Sequence, residues 1–328
     1  MKFNRTLAIF ALIFGSTCFL RAQPAGEQQF QNNQITRQFQ VPVPSLTAGT
    51  NVPALYPGEN ADVGPQRILR LNPSPTYFDI LFDSEVSFSD NANFAQKPDT
   101  ISSAIFVNTV QAEFSPPAVG FGPGNIATAI GVVGQWYNYD DHRLESLDFN
   151  AQTLFIDAKY NLNQWQIFGG VNLTRLVNQG NYDETYREFL PSLGAQRMFQ
   201  LNDRLFLTVG DLVDYHLTRV PSLGGSLTDI NDRFDNIASV SLIWPATKHL
   251  IFQPYYRFQY SNYRHNTLAT SDRNDYLQSF GLQAIYYFNQ NINLRAFFGY
   301  NRKQSDDPFT PDYREINGGL GVSLDIRF

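Results

Sequence analysis

Hydrophobic and polar residues alternate one by one along several stretches in the second half of the chain. Between residues 292 and 300 every second residue is apolar, whereas Asn293 and Arg295 fall on the opposite parity. The stretches 250–261 and 279–288 repeat this alternation. Successive side chains of a β-strand point to opposite faces, so the pattern predicts strands with one apolar face and one polar face.

The final stretch, 315–328, alternates in the same way up to its last residue. Every even-numbered residue from Leu320 to Phe328 is apolar, and the opposite parity ends with Asp325 and Arg327. Terminal residues of soluble domains usually fray. A closed membrane barrel instead pairs its last strand with its first, which leaves no strand edge in lipid. The pattern therefore predicts a closing strand of a membrane β-barrel.

Runs of this kind recur at regular intervals from Tyr77 to the C-terminus. They predict twelve strands of about 11 to 16 residues, long enough to cross a bilayer at a tilt. Asp211 falls on the apolar parity of the seventh strand, which predicts a bulge or an error of register there. The predicted strands are 76–89, 102–114, 126–138, 147–160, 164–176, 186–200, 203–216, 235–245, 248–262, 275–289, 291–302 and 314–328.

The connectors between these strands alternate in length. Short connectors follow the fourth, sixth, eighth and tenth strands, and longer polar connectors lie between them. Only 115–125 breaks the alternation, because it is long where a short turn is due. Short periplasmic turns and long external loops are typical of outer-membrane barrels. An even number of strands then places both termini in the periplasm.

Aromatic residues gather at both ends of the predicted strands, as in the two interfacial girdles of a membrane barrel. The alternative is that Tyr and Trp favour strands in general, which explains their number but not their placement. Tyr139 and Tyr263 lie at strand ends of this kind. The residues assigned to the girdles are Trp136, Trp165, Trp244, Tyr260, Phe288, Tyr300 and Phe328.

The N-terminus has the layout of a secretory signal peptide over residues 1–22. Lys2 and Arg5 precede an apolar run that is too short to span a bilayer, and Ala22 offers a small residue at a plausible cleavage point. Cys18, the only cysteine, lies within this run. The mature chain would therefore contain neither disulfides nor cysteine metal sites.

Composition narrows the function classes further. The chain is 43% hydrophobic and 15% aromatic, yet its mean hydropathy is −0.29. A helical membrane protein would be more apolar, whereas a barrel exposes only half of each strand to lipid. The formal net charge is −6, and removal of the basic signal makes it more negative. An acidic chain is a poor nucleic-acid binder.

Residues 23–75 differ from the rest because they are rich in glutamine and proline. Prolines at this density interrupt both helices and strand ladders. We interpret the segment as an irregular periplasmic extension. A segment that folds into the barrel lumen and plugs it is the alternative.

Together these features resemble bacterial outer-membrane β-barrels, including porin-like members. The resemblance covers 1–22, 77–328 and the terminal residues 321–328, and residues 83–93 are similar to the first strand and loop of porin-like proteins. It implies an all-β, antiparallel up-and-down barrel of about twelve strands in the outer membrane of the Gram-negative cell envelope. Outer-membrane lipid, lipopolysaccharide and the barrel-assembly machinery, through the Phe328 strand, are the implied partners.

Polar residues on the parity opposite to the lipid face are candidates for lining the lumen. Arg257 and Arg295 set this parity, because a cation facing lipid near the midplane costs about 2–4 kcal/mol. Mixed charges and amides predict a hydrated channel that biases solute passage; a self-paired polar network filling a narrow barrel is the alternative. The candidates are Glu113, Arg257, Gln259, Gln283, Asn293, Arg295, Glu315, Asn317, Asp325 and Arg327.

Patterns for catalysis or metal binding are weak. The stretch 261–265 holds the Ser, Asn and His used by outer-membrane phospholipases. It would span about 16 Å along a strand, whereas a nucleophile must reach its base at about 3 Å. The four histidines, His142, His216, His249 and His265, are scattered without metal-ligand spacing. We therefore predict neither an enzyme nor a bound metal or cofactor.

Three functions remain as alternatives. The first is passive, weakly selective diffusion of small hydrophilic solutes through the lumen. The second is a non-transporting structural or adhesive barrel that acts through the loops at 217–234 and 263–274. The third is a soluble secreted β-sandwich, whose strands would be about half as long.

Overall fold

The computed structural model of the chain describes residues 26–31, 77–221, 229–264, 273–308 and 310–328. The signal peptide predicted at 1–22 lies outside these residues, as does all of the predicted extension except 26–31. None of the helices within the described ranges is long and apolar enough to cross a membrane.

Twelve long antiparallel strands form a closed barrel, and one short strand is added to it. The predicted fold class and number of barrel strands are thereby confirmed. The strands are β1 Phe78–Ser89, β2 Ser103–Phe114, β3 Val119–Phe121, β4 Gly124–Tyr139, β5 Phe149–Leu162, β6 Trp165–Asn178, β7 Glu184–Asn202, β8 Leu205–Arg219, β9 Arg233–Pro245, β10 Leu250–Tyr263, β11 Asn274–Tyr287, β12 Ile292–Ser305 and β13 Tyr313–Arg327.

The barrel closes where β1 pairs with β13, in a register that runs from Asp79↔Arg327 to Ser89↔Asn317. Backbone hydrogen bonds extend this seam to the last residue, because the N–H of Phe328 donates to the carbonyl of Phe78 at 3.0 Å. Every barrel strand thus has two hydrogen-bonded neighbours. This arrangement satisfies the backbone polar groups that lipid could not satisfy.

The connectors define two ends of the barrel. The long-loop end carries the connectors at 90–102, 140–148, 179–183, 220–232, 264–273 and 306–312. The short-turn end carries those at 163–164, 203–204, 246–249 and 288–291, together with both termini of the barrel.

The irregular connector at 115–125 contains an element that sequence reasoning missed. Strand β3 folds back on the first residues of β4, with Val119 opposite Ile126. Gly122 lies at the turn of this hairpin with φ +56°, a conformation that favours glycine. The connector is long because it forms an additional small hairpin at the short-turn end.

Burial follows the predicted parity along the barrel wall. In β13, for example, Leu320 and Val322 are exposed on the outer wall, whereas Ser323 and Glu315 are buried on the inner wall. The bulge or register error expected at Asp211 is wrong, because the pairings of Asp211 with its neighbours on β7 and β9 are regular. Asp211 does face outward.

The Asp211 carboxylate accepts a hydrogen bond from the Asn236 amide at 3.1 Å on the outer wall. A cross-strand polar contact, and not a change of register, accommodates this carboxylate.

The aromatics assigned to the girdles lie on the outward parity. Trp136, Trp165, Trp244, Phe288 and Phe328 are exposed, and Tyr260 and Tyr300 are half-buried.

Two further aromatics at strand ends, Tyr139 and Tyr263, are instead buried on the inner wall. Residues two apart share a face, so Tyr139 follows the inward Tyr137 and Tyr263 follows the inward Ser261. The interpretation of Tyr139 and Tyr263 as lipid-facing was wrong.

Candidate channel lumen

The inner wall has an apolar half and a charged half. The apolar half lies on the long-loop part of β2 and β4 to β6, and it forms the largest buried hydrophobic cluster of the described residues. Its members include Ile105, Val107, Tyr137, Phe149, Ala151 and Leu176. The charged half lies on β1 and β8 to β13.

A cavity of about 400 Å³ opens along the charged half, from the short-turn end to the middle of the barrel. Arg295 lies in its wall and reaches two carboxylates of β1, with Nη2 at 2.6 Å from Glu85 and 3.3 Å from Asp83. Arg257 contributes a second guanidinium, and Gln283 a neutral amide. Charges of both signs and neutral amides surround this open volume. They can hydrogen-bond to water and to small polar solutes.

The ten residues predicted to line the lumen occupy four different places. Six of them, Arg257, Gln283, Asn293, Arg295, Asn317 and Asp325, line the cavity of about 400 Å³. Glu113 lines a separate cavity of about 260 Å³ against the apolar half.

The other three predicted residues lie outside both cavities. Gln259 is buried nearer the long-loop end and donates to Asp235 at 2.8 Å. Glu315 is buried as well, and it accepts hydrogen bonds from Ser89 and Asn301, both at 2.8 Å. Arg327 is exposed at the short-turn end. Whether the ten residues act on a passing solute stays a prediction.

A short helix at residues 26–31 lies inside the barrel, and we call it the lumen helix. Phe30 on this helix is only 1% exposed and packs into the apolar cluster of the inner wall. A Cβ at Gly26 would meet the Phe149 ring at 3.0 Å, so a small residue permits the close approach. The lumen helix therefore contacts the apolar half of the wall along one side. The position of the remainder of 23–75 stays a prediction.

The other side of the lumen helix carries polar contacts with the charged half. The Arg233 guanidinium donates to Gln31 Oε1 at 2.8 Å, and Asn231 Nδ2 donates to the Glu27 carboxylate at 3.1 Å. Gln28 Nε2 donates to the Tyr313 hydroxyl at 2.7 Å. Because these partners lie near the long-loop end, the lumen helix occupies that half of the barrel.

A buried ionic network supports Arg233 in this position. His216 bridges two carboxylates, with Nδ1 at 2.6 Å from Glu188 and Nε2 at 2.9 Å from Asp235. Arg233 Nε lies 3.1 Å from the same Asp235 carboxylate. All four side chains are almost completely buried. Removing one partner of such a network leaves an uncompensated buried charge.

A second charged group lies beside this network. Arg273 and Lys303 contact the Asp275 carboxylate at 2.5 and 2.8 Å. The Arg273 guanidinium also lies 3.8 Å from the centroid of the Tyr263 ring, a cation–π geometry. The long-loop half of the lumen is thus filled by ion pairs and the lumen helix, whereas the short-turn half contains the open cavity.

The connector 140–148 adds apolar cover at the long-loop end. Its 3₁₀ helix, His142–Leu147, buries Leu144 in the cluster that also contains Phe30. Asp141 caps this helix by accepting from the Arg143 N–H at 2.9 Å. Hydrogen bonds from Arg143 hold the pKa of the Asp141 carboxyl well below its usual range.

Sequence reasoning missed His216, Glu188 and Arg233 as parts of one site. The inward parity of His216 was visible in the sequence, because His216 lies between Tyr215 and Leu217, which are on the opposite parity. Arg233 was assigned to a loop, since the eighth predicted strand, which corresponds to β9, was predicted to begin at residue 235, two residues later than it does. What brings these residues together is strand pairing between β7, β8 and β9.

Of the stretch 261–265 considered above, the structure describes Ser261 to Arg264. Ser261 is buried on the inner wall and accepts a hydrogen bond from Gln259 at 3.2 Å, so it does not face the lipid side that a phospholipase of this class would use. His265 lies outside the described residues. Within those residues, no group of three or more His, Cys, Asp or Glu side chains is arranged to hold a metal ion.

No protein-family model and no curated protein sequence matches the chain. Among solved structures, the chain is similar to an outer-membrane channel from Pseudomonas putida F1, with a TM-score of 0.53 and 12% identity over 76% of this chain and 96% of that chain. It also matches the outer-membrane channel DcaP of Acinetobacter baumannii, with a TM-score of 0.42 and 10% identity over 76% and 97%. The β domain of the Bordetella autotransporter BrkA matches with a TM-score of 0.44 and 12% identity over 75% and 98%.

The Pseudomonas match is a match of fold alone. It agrees with the strand pattern and the closed sheet in identifying the fold as that of bacterial outer-membrane β-barrels, the class that the sequence resembles.

Proposed function

We propose that the protein is an outer-membrane channel for small hydrophilic solutes, closed in the described conformation by the lumen helix. The cavity of about 400 Å³ with Arg295, Glu85 and Asp83 in its wall carries this proposal. A barrel that served only as a scaffold would gain stability by filling this volume with apolar side chains, since packing contacts are lost around a void. An open volume lined by charges of both signs suits the passage of hydrated solutes.

In this proposal the outer wall faces outer-membrane lipid and lipopolysaccharide, and the short-turn end faces the periplasm. The export signal predicted at 1–22 and the even number of barrel strands support that orientation. The Phe328 strand is the element that the barrel-assembly machinery would recognise. The protein carries out no chemical reaction in this role.

The lumen helix acts as the gate. Phe30 anchors it to the apolar half of the wall, and Gln31 and Glu27 bind it to the charged half. Solutes entering from the short-turn end reach Gln29, which lines the end of the cavity. Passage then requires the lumen helix to leave its site.

Single-channel conductance in a planar bilayer tests this proposal. We expect rare, discrete openings from the full chain and sustained openings after deletion of 26–31. Deletion of 50–55 is the matched control, because it shortens the extension equally and removes none of the contacts described above. The heat-dependent shift in gel mobility shown by folded barrels confirms folding of each variant.

A non-transporting structural or adhesive barrel is the second candidate, favoured by the filling of the long-loop half of the lumen. The same recordings separate the two functions. If the folded deletion variant and the full chain both remain silent, the channel proposal is wrong and the structural barrel is left. The adhesive role would act through the loops at 217–234 and 263–274, of which 222–228 and 265–272 lie outside the described residues.

A further inference from the structure

Three arginines form a row on the outer wall of the barrel. Strand pairing places Arg175 of β6 directly opposite Arg187 of β7, and Arg187 directly opposite Arg219 of β8. All three side chains are exposed. Each residue lies within the last four residues of its strand at the long-loop end. We call these residues the arginine row.

The described residues around the arginine row do not neutralise all of its positive charge. Arg187 Nη2 lies 2.8 Å from the Glu184 carboxylate, whereas Arg175 Nε donates to the neutral Gln152 amide at 2.7 Å. Arg219 forms no ion pair with any residue in the described part of the chain. Like charges directly opposite each other on neighbouring strands are destabilising, so an anionic ligand would relieve this repulsion.

An apolar row lies next to the arginine row, two residues closer to the middle of each strand. Its members are paired across β5 to β8 in the same continuous register. All of them are exposed on the outer wall. They are Leu154, Leu173, Phe189 and Leu217. Cations beside an apolar strip match the two parts of an anionic lipid, its headgroup and its acyl chains.

A shallow groove of about 560 Å³ connects the two rows. Val132, Leu154 and Leu173 line its apolar part, and Arg175 and Arg187 line its polar part. The groove thus offers a place for an acyl chain directly beneath two guanidinium groups.

Outward-facing arginines are unevenly distributed between the two ends of the described strands. Besides the arginine row, Arg302 and Arg314 are paired across β12 and β13 at the long-loop end. On the short-turn half, Arg197 faces outward, and its guanidinium lies 4.6 Å from the centroid of the Phe199 ring. That aromatic contact accounts for Arg197 without an anion. The uneven distribution fits a phosphate-rich leaflet on the long-loop side.

We propose that the arginine row binds the phosphate groups of a phosphorylated glycolipid in the outer leaflet. Guanidinium groups bind phosphate through two parallel hydrogen bonds and remain charged at every physiological pH. The acyl chains of the same lipid lie in the groove and along the apolar row. Placement at the end of the strands keeps the cost of the outward charges low, since that cost falls towards the membrane interface.

Native mass spectrometry of the full chain in detergent micelles tests this site, with phosphorylated lipid A as the probe. The variant R175Q/R187Q/R219Q removes three charges and keeps side chains of similar length. We expect it to retain at least tenfold less lipid A than the natural sequence. R197Q, which removes an outward arginine at the short-turn half, is the matched control and should retain lipid A within about twofold of the natural sequence.

A second comparison uses only the natural protein with two lipids, so it does not depend on folding of the triple variant. Lipid A from which the phosphates have been removed should bind at least tenfold more weakly than the phosphorylated form. Equal retention of the two lipids would overturn the proposal. Displacement of lipid A by millimolar inorganic phosphate, with no effect of acyl-chain removal, would also overturn it, because the site would then be one for free anions. Neither arm depends on conductance, so failure of the channel proposal leaves this test unaffected.

Discussion

Substitution of Phe30 by alanine should weaken the contact that holds the lumen helix in place. The Phe30 ring is 1% exposed and packs among apolar residues of β2 and β4 to β6. Truncation of a buried phenylalanine to alanine typically costs about 3–5 kcal/mol. Opening detaches the helix from the barrel wall and does not disrupt a folded core, so we take the lower end of this range, about 3 kcal/mol. Since 1.4 kcal/mol corresponds to a factor of ten, the ratio of open to closed channels should rise about 100-fold.

Gln28→Ala provides a matched comparison on the same helix. Gln28 is half-buried and donates one hydrogen bond, to the Tyr313 hydroxyl at 2.7 Å. Loss of one neutral hydrogen bond costs about 1 kcal/mol, so the ratio of open to closed channels should rise only about fivefold. The two variants thus remove contacts of very different strength from the same six residues.

Open probability in planar bilayers is the measurement, taken from long single-channel recordings at fixed voltage. The open-state conductance should be the same in F30A and in the deletion of 26–31, because both leave the same lumen. An F30A channel that opens no more often than Q28A, or one whose conductance differs from that of the deletion variant, would refute the idea that the lumen helix is the gate.

Three further perturbations test the wall of the lumen and the barrel itself. In the background of the 26–31 deletion, Arg295→Gln leaves the Glu85 carboxylate without its partner at 2.6 Å. The reversal potential in a salt gradient should therefore move towards cation selectivity. An unchanged reversal potential would exclude this cavity from the conduction path. His216→Ala removes the link between two buried carboxylates and should destabilise the barrel by about 3–5 kcal/mol. The measurement is the midpoint temperature of the heat-dependent gel shift, which should fall. His249→Ala, in an exposed turn, is the control and should leave this midpoint unchanged. Gly319→Val should prevent the barrel from closing, because even a Cβ there would lie 2.3 Å from the Val86 carbonyl; a normal gel shift for this variant would contradict the register of the seam.

The sequence was informative where one face of a strand meets lipid and the other meets water. In β12 and β13 the inner wall is polar, so Arg295 and Ser323 mark the parity and the strand bounds follow within a few residues. In β2 and β5 both faces are apolar near the long-loop end, since Val107 and Phe149 point inward towards Phe30. Alternation is weak there for a physical reason, because that part of the wall packs against protein and not against water.

The candidate site was harder to predict than the fold. The contact between Gln31 and Arg233 joins residues 202 positions apart, and nothing in the local pattern of either stretch specifies the other. The ion pairs of His216 likewise depend on how three strands are aligned. Parity assigns each of these residues to the inner wall, but only the register and the lumen helix determine which of them meet.

The seam between β1 and β13 has a consequence for how the barrel assembles. The hydrogen bond between Ser323 and Asp83 spans 240 positions, whereas the other barrel strands pair with partners that follow them closely in the chain. The other strand pairs can therefore form as local hairpins, and the seam alone must bring distant segments together. Contacts of this range slow folding, because the entropy of closing the chain is lost before the contact stabilises it. Until the seam forms, two strand edges remain open at once, so closure is a single late step on which the survival of the whole barrel in lipid depends.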